Sequence, residues 1–429
     1  MSAVLAEAED DRRDDFAGEI AARIERLPLS AWQVRMRIII GTATFFDAFD
    51  ALAIAYILPV IVPLWKLAPQ DVGVLISAGF FGQLFGALFF GWLAERYGRM
   101  PALISAIAIF GVLSFACALS WDYRSLLIFR TLQGFGLGGE VPVAATYIGE
   151  LAKAKGRGRF VLLFELVFPS GILAASVLGL WLVPSFGWQS MFFVGAIPAV
   201  LVLFLQRLLP ESPRWLAASG RYAEAERALA EVEAGTEKAL GRKLPPPELA
   251  IAVPPKRPSW RDLFGPHYLK RTLVVWVMWF ATYFVNYGLA TWMPTLYRTV
   301  FHLPLDVALR YQLITNVLTL FSSAACALLI DFTGRRAWFV GAFAGSALAL
   351  LALWYIGPTT ATRVLWLGTL SNMCVGTMSL AVYLYTPELY PTRSRALAVG
   401  TATAWLRLAS IIGPNVVGMM VADGGLKTV

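Results

Sequence analysis

Long apolar segments dominate this chain and limit the folds it can adopt. Of its 429 residues, 58% are hydrophobic and only 15% are charged, a balance that a water-soluble domain cannot bury. A helix needs about 20 apolar residues to cross a bilayer. The sequence predicts an all-α membrane protein with eleven such spans, at 36–63, 71–94, 101–119, 123–149, 160–184, 188–208, 272–297, 308–330, 337–356, 363–386 and 396–421.

The loops between these spans differ in their content of Lys and Arg. Positive residues concentrate in the N-terminal segment and in alternate loops. The positive-inside rule therefore predicts a multi-pass protein of the cell inner membrane with its N-terminus in the cytoplasm. The net charge of +8 follows from this topology, so we expect no nucleic-acid partner. We predict an N-terminal segment at 1–35, an N-terminal bundle at 36–208, a cytoplasmic central loop at 209–271 and a C-terminal bundle at 272–429.

The two polar segments each contain a predicted helix. Apolar residues recur at helical spacing in the first, which predicts an amphipathic helix lying on the membrane surface. These residues are Phe16, Ile20, Ile24 and Leu27. In the central loop, a helical stretch from Tyr222 to Leu240 precedes a proline-rich run, which is typical of a tether. No nucleophile, metal-binding or phosphate-loop pattern is found, so we predict no enzyme and no cofactor.

The two predicted halves repeat one another. GWLAERYGRM (91–100) follows the second span, and ALLIDFTGRR (327–336) follows the eighth. A shift of 236 residues aligns Glu95 with Asp331, Gly98 with Gly334, Arg99 with Arg335, Arg157 with Arg393 and Arg159 with Arg395. Such repeats build many secondary transporters. Two six-helix halves would contain twelve helices, one more than the eleven predicted spans. We expect that the sequence is truncated; loss of the twelfth helix is the alternative.

These motifs resemble those of the major facilitator superfamily over essentially the whole chain. GWLAERYGR resembles the family's loop between its second and third helices, with Glu95 for the usual Asp and Met100 for the usual final basic residue. Other segments resemble the bacterial metabolite:proton symporters, in the niacin-transporter-like and synaptic-vesicle-2-related group. They are RTLQGFGLGGEVPVA (130–144), PSFGWQ (184–189), PESPRWL (210–216), YGLATWMP (287–294) and YTPELYPTRSRA (385–396). The resemblance implies the major facilitator fold of two six-helix bundles, with the last (twelfth) helix missing, and alternating access usually driven by protons.

Charged residues inside the spans are candidates for proton coupling. Asp47 and Asp50 lie on one predicted helix face, and a charge at that depth usually faces a cavity or a partner. The helical rise of about 1.5 Å per residue places Arg130 level with Asp50. We predict that one aspartate pairs with Arg130 and that protonation of this aspartate releases the arginine; Asp50 is slightly favoured over Asp47. A permanent structural salt bridge is the alternative. Glu140 is predicted as a second protonation site or gate residue, or as part of a fixed network with loop arginines.

Other polar residues in the C-terminal spans are candidates for substrate binding. Arg407 lies near the predicted midplane, where its planar fork suits an anionic substrate. The alternative is that it pairs with an acid on a neighbouring helix. Tyr283, Asn286 and Tyr287 are predicted to form a wall against a flat ring, or else to pack between helices. Asn372 either lines the cavity or joins helices.

Loop charges form a candidate cytoplasmic gate. We predict that they hold the halves together when the carrier faces outward and separate when the halves rock. If they served topology alone, the acids and glycines among them would be unexplained. The predicted members are Gly91, Glu95, Arg96, Gly98, Arg99, Glu150, Arg157, Arg159, Glu165, Asp331, Gly334, Arg335, Arg336, Glu388 and Arg395.

The resemblance and these residues predict one main function. It is a secondary active transporter that moves a small metabolite, such as nicotinate or another aromatic acid, across the inner membrane by proton symport. A sugar:proton symporter and an exporter of drugs or organic cations are alternatives, and a transport-inactive membrane receptor is a remote one. The expected partners are a small-molecule substrate, protons and the lipid bilayer, and we expect a monomer.

Overall fold

A computed structural model describes residues 16, 18–28, 30–151, 167–247, 263–391 and 394–424. A short helical segment at 18–25 precedes the main helices. These are α1 (Ala31–Trp65), α2 (Pro69–Tyr97), α3 (Arg99–Ala118), α4 (Tyr123–Leu151), α5 (Val167–Phe186), α6 (Gln189–Gly195), α7 (Pro198–Leu208), α8 (Pro213–Ala218), α9 (Tyr222–Leu240), α10 (Leu269–Thr299), α11 (Leu305–Thr333), α12 (Arg335–Ile356), α13 (Ala361–Glu388) and α14 (Arg395–Gly424).

The prediction of an all-α membrane protein is confirmed within the described ranges. Nine of the described helices are long and apolar enough to cross a membrane. The fourth predicted span is also one helix, α4, whose charged side chains reduce its apolar character. The sixth is broken into α6 and α7, and α7 begins at Pro198, which lacks the N–H that a continuous helix would need there. The predicted spans thus correspond to α1–α5, to α6 with α7, and to α10–α14.

The internal repeat extends from the loop motifs to the helix bounds. A shift of 236 residues carries α2, at 69–97, onto α11, at 305–333, with both ends coinciding. Gly98 and Gly334, which follow these helices, both have positive φ angles, of 113° and 83°. Glycine adopts such angles without the steric cost that a side chain would meet. The duplicated glycines therefore serve the same backbone turn in each half.

Among the described helices, the most extensive contacts between the two halves are those of α2 with α14, α5 with α11, and α1 with α10. We call the end where α1 begins and α2 ends basal, and the opposite end distal. Near the distal end a Cβ on Gly73 would lie 3.0 Å from the carbonyl oxygen of Pro414, and one on Gly418 would lie 2.8 Å from that of Pro69. The helices approach closely there because neither glycine has a side chain.

The N-terminal segment packs on the protein, and the prediction that it lies on a membrane surface is wrong. Ile20, Ile24 and Leu27 are at most 1% exposed and belong to a core shared with α9 and the base of α1. The apolar face of the segment is therefore covered by protein. Helix α9 has the bounds predicted for it, whereas residues 248–258 of the proline-rich run lie outside the described ranges.

Ion pairs hold the N-terminal segment against α9. Arg23 lies 2.7 Å from carboxylate oxygens of both Glu226 and Glu233, and Arg26 lies 2.6 Å from Glu233. Burial alone would raise the pKa of Glu233, but hydrogen bonds from Arg23 and Arg26 outweigh it and hold that pKa below its ordinary value. We call these four residues the basal clamp.

The basal clamp is expected to open on acidification. Because the folded pKa of Glu233 lies below its ordinary value, the clamp stabilises the fold above about pH 4.5 and is lost as the pH falls through the folded value. At neutral pH, Glu233→Gln should speed hydrogen–deuterium exchange at 18–28 by about tenfold, since hydrogen bonds to charged groups contribute about 1.5–3 kcal/mol. The exposed Glu231→Gln is the matched control, and equal exchange in both variants would contradict the clamp.

Candidate functional site

A cavity lies between the two halves, on the basal side of their distal contacts. It contains about 1290 Å³ of empty space, its open mouth included. It extends from Asn316 near the distal contacts to Phe168 and Tyr383 on the basal side. Its polar and aromatic wall includes Thr44, Asp47, Gln83, Tyr283, Asn286, Tyr287, Asn316, Asn372, Tyr383 and Arg407. This mixture of apolar and aromatic side chains with a few polar groups is typical of a site for a small molecule.

The residues predicted to bind substrate all line this cavity: Tyr283, Asn286, Tyr287, Asn372 and Arg407. Tyr283 and Tyr287 lie one helical turn apart on α10, with their rings stacked at 6.0 Å between centroids. The ring of Phe80 on α2 lies 4.6 Å from that of Tyr287. The two halves together therefore present an aromatic surface beside the cavity.

Arg407 is held by an amide from the other half. Its guanidinium donates to Oε1 of Gln83, which is buried on α2. Within the described ranges Arg407 makes no ion pair shorter than 4.0 Å. The alternative, in which Arg407 pairs with an acid on a neighbouring helix, is therefore not seen as a direct contact in this conformation. Sequence reasoning missed Gln83, although a glutamine in an otherwise apolar span was the available signal.

Asp50 and Arg130 form a fully enclosed ion pair. A guanidinium nitrogen of Arg130 lies 2.5 Å from Oδ2 of Asp50, and the two residues are 3% and 0% exposed. Gln133, one turn further along α4, accepts from Arg130 at 2.8 Å and donates to Asp50 at 2.8 Å. It also donates to Ser114 on α3. Nε of Arg130 has no hydrogen-bond partner among the described residues. The pair lies behind the cavity wall rather than in it.

Asp47 faces the cavity and not the ion pair. Side chains three residues apart lie on one side of a helix, about 60° from each other, and of these two only Asp47 lines the cavity. Asp47 is 5% exposed, and in the described structure its Oδ1 has no hydrogen-bond partner. Asp47 and Arg407 line the same cavity, from α1 and α14.

Glu140 forms a second acidic position beside Asp47. It is fully buried, and its Oε1 accepts a 3.0 Å hydrogen bond from the hydroxyl of Thr44, one turn before Asp47 on α1. Its Oε2 has no partner among the described residues. The predicted network of Glu140 with Arg157 or Arg159 cannot be compared with the structure, because both arginines lie outside the described ranges. Glu165 also lies outside them.

The predicted gate residues of the N-terminal half form a cluster at the basal end. Arg99 lies 2.8 Å from Glu150 and 3.0 Å from Glu95. Arg96 is exposed beside the rings of Trp92 and Tyr97, and the space beside Gly91 is open. In this conformation the described contacts of Arg99 lie within its own half.

The C-terminal half contains the equivalent cluster. Arg335 lies 3.1 Å from Glu388 and also pairs with Asp331. Arg336 is exposed, and Arg395 donates to the carbonyl oxygen of Tyr390 at 3.1 Å. The repeat therefore preserves an arginine between two acids in each half.

Glu211 is a basal residue that sequence reasoning missed, although it lies in the quoted segment PESPRWL. Its carboxylate accepts from the backbone N–H groups of Arg99 at 3.0 Å and Met100 at 3.1 Å, at the start of α3. Burial raises the pKa of Glu211, and these backbone hydrogen bonds oppose the rise. Trp215 donates from Nε1 to the carbonyl oxygen of Glu95 at 2.9 Å. The start of the central loop is thereby attached to the N-terminal gate cluster.

Hydrogen bonds close the distal end between the halves. Asn316 donates to the hydroxyls of Tyr56 at 2.9 Å and Ser176 at 2.7 Å. Asn415 donates to the hydroxyl of Ser77 at 2.6 Å. Asn316 lies in the cavity wall and Asn415 lies further toward the distal end, so these contacts join the halves on the distal side of the cavity.

Comparisons with known proteins agree with this architecture. The family model for "Sugar (and other) transporter" matches residues 50–427. The niacin transporter NiaP of Acinetobacter baylyi is 34% identical over 418 residues, covering 96% of this chain and 92% of that protein. The 4-hydroxybenzoate transporter PcaK of Pseudomonas aeruginosa is 29% identical, covering 92% and 88%. The xylose transporter XylE of E. coli, in a partially occluded inward open conformation, has a TM-score of 0.71 at 20% identity and covers 93% of this chain and 94% of that structure.

The match to XylE shows the fold, and the relatives named here are transporters rather than enzymes. The resemblance read from the loop and helix motifs is therefore confirmed. With its two duplicated helical halves around a central cavity, the chain belongs to the sugar (and other) transporter family and has the major facilitator superfamily fold.

Proposed function

We propose that this protein is a secondary active transporter that moves a small organic acid by proton symport and alternating access. The observation that carries the proposal is the cavity between the halves, which is closed distally and contains both Arg407 and Asp47. A polar cavity sealed at one end is what a carrier needs in order to expose its site to one side at a time.

Arg407 is the proposed anchor for the substrate carboxylate. Its guanidinium is bonded to the neutral Gln83 and has no ion-pair partner within the described residues, so its charge is available to an anion. Arginine binds carboxylates through two parallel hydrogen bonds. The rings of Tyr283 and Tyr287 provide a surface for a flat ring, and Asn286 and Asn372 add hydrogen bonds. These features support an aromatic acid, the class named for two relatives.

Asp47, Glu140 and the Asp50–Arg130 pair are the proposed proton-coupling groups. Asp47 lines the open cavity and can exchange protons with water there, whereas Asp50 is sealed behind it. Glu140 lies next to Asp47 with one oxygen unpartnered in the described structure. Protonation of Asp50 would leave Arg130 buried without a counter-charge, a costly arrangement that favours repacking of the helices. This cost is how we propose that proton binding changes the conformation.

The basal end is proposed to face the cytoplasm, with the protein in the cell inner membrane. The distribution of Lys and Arg supports this orientation, since the gate clusters lie at that end. The described conformation would then be open to the inside. We propose that the Arg99 and Arg335 clusters approach each other when the basal end closes. One chain contains both halves and the cavity, which supports a monomeric carrier.

Transport by purified protein in liposomes tests the proposal. Nicotinate, benzoate, glucose and a cationic dye are each supplied outside, with or without an imposed gradient that is acidic outside. We expect an aromatic acid to accumulate above its external concentration only with the gradient. Equal uptake with and without it would contradict proton coupling, and accumulation of the dye alone would contradict anion transport.

A sugar:proton symporter is the second candidate. The amides of Gln83, Asn286, Asn316 and Asn372 line the cavity and suit sugar hydroxyls, and the fold matches that of a xylose transporter. Against it stands Arg407, a cavity charge that a neutral sugar does not need. Gradient-driven accumulation of glucose without accumulation of either acid would favour this candidate.

A further inference from the structure

The cavity wall contains a negative group opposite in charge to the proposed substrate anchor. Asp47 lines the cavity, is 5% exposed, and its Oδ1 has no partner in the described structure. The side chains of Asp47 and Arg407 line the same cavity, on α1 and α14, yet they form no ion pair within the 4.0 Å limit. A molecule bound in the cavity would therefore lie beside both side chains.

The two charged groups lie in different halves of the protein. Arg407 donates to Gln83, while Glu140 accepts from the hydroxyl of Thr44, one turn before Asp47 on α1. A buried polar group without a partner is costly, and a ligand that supplies the missing hydrogen bond recovers that cost. A ligand with a carboxylate alone satisfies Arg407 and leaves Asp47 without a partner.

We infer that Asp47 is a second substrate anchor, which selects acids bearing a hydrogen-bonding group on the side of the molecule opposite the carboxylate. A ring hydroxyl would donate to the ionised Asp47, whereas a ring nitrogen would accept from the protonated form. The aromatic rings of Tyr283 and Tyr287 support the ring between these anchors. This assignment rests on the proposed function, because it requires that the carboxylate binds at Arg407. It adds a specificity-determining role to Asp47.

Equilibrium binding to the full chain in lipid nanodiscs tests this assignment, without any proton gradient. The ligands are benzoate, 3-hydroxybenzoate, 4-hydroxybenzoate and nicotinate, and the quantity compared is the ratio of affinities within one preparation. This ratio does not depend on the fraction of protein that is folded. We expect at least one substituted acid to bind about tenfold or more tightly than benzoate, as expected for a buried group that would otherwise lack a partner.

Asp47→Ala should bring the ratio close to one by weakening the substituted acids relative to benzoate. Asp47→Asn keeps the shape and should retain part of the preference. Asp306→Ala, which removes an exposed carboxylate at the start of α11, should keep the wild-type ratio. If the wild-type ratio is close to one, or if the ratio in Asp47→Ala equals the wild-type ratio, the inference is overturned and the proposed function still stands. If no acid binds the wild type, the proposed function fails as well.

Discussion

Asp50→Asn should abolish accumulation driven by a pH gradient while retaining substrate exchange between the two sides of the membrane. The single amide oxygen of asparagine can still accept from Arg130, as Oδ2 of Asp50 does at 2.5 Å, and its NH2 group takes the place of the oxygen that accepts from Gln133. Asparagine cannot take up a proton. The cavity residues that we propose to bind substrate are unchanged. Uptake with and without a gradient, and exchange of labelled for unlabelled acid, are measured on the same proteoliposomes.

Two further variants separate coupling from stability. Asp306→Asn makes the same chemical change at an exposed position and should leave both activities intact. Because breaking one side of a buried ion pair costs about 3–5 kcal/mol, Asp50→Asn should also lower the melting temperature, and Asp50→Asn combined with Arg130→Gln should recover part of it. Gradient-driven accumulation at the wild-type level in Asp50→Asn would exclude Asp50 as a coupling group.

Arg407→Ala should weaken binding of the substrate acid by about tenfold to a hundredfold. The estimate follows from the contribution of a charge-assisted hydrogen bond, about 1.5–3 kcal/mol. The residue lies in the cavity wall, and alanine removes its charge while leaving Gln83 without the partner that it has in this conformation. The measurement is the dissociation constant of the acid for protein in nanodiscs.

The shape of the guanidinium provides a second test at the same position. Arg407→Lys keeps the charge but loses the planar fork, so it should bind more weakly than wild type and more tightly than Arg407→Ala. Arg310→Ala, an exposed arginine on α11, is the matched control and should bind as the wild type does. A carboxylate that binds Arg407→Ala with wild-type affinity would show that the anion is held elsewhere.

Helix positions could be predicted closely from the order of residues. The second span was predicted at 71–94 and is the helix Pro69–Tyr97, and the central-loop helix has its predicted ends. Depth along a helix was also predictable, since the constant helical rise placed Asp50 and Arg130 at one level. These properties depend on local spacing along one helix, which the sequence contains.

Partners on other helices were harder to predict. Gln133 and Gln83 are polar residues in apolar spans, but being uncharged they gave no sign of which charged residue each would contact. Glu211 was overlooked because its partners are backbone N–H groups at the start of α3. The N-terminal segment was misassigned because an apolar helix face looks the same whether protein or lipid covers it.

The order of residues alone determined the membrane spans, the two related halves and the depth of each buried charge. A helix makes its backbone hydrogen bonds within itself, so the length of each apolar segment and the spacing of charged residues along it are sufficient to predict these properties. Only the tertiary structure decided that Asp47 faces the cavity while Asp50 is enclosed with Arg130, and that the distal end is closed. Those outcomes depend on how each helix is rotated against its neighbours, which is set by contacts between residues far apart in the chain.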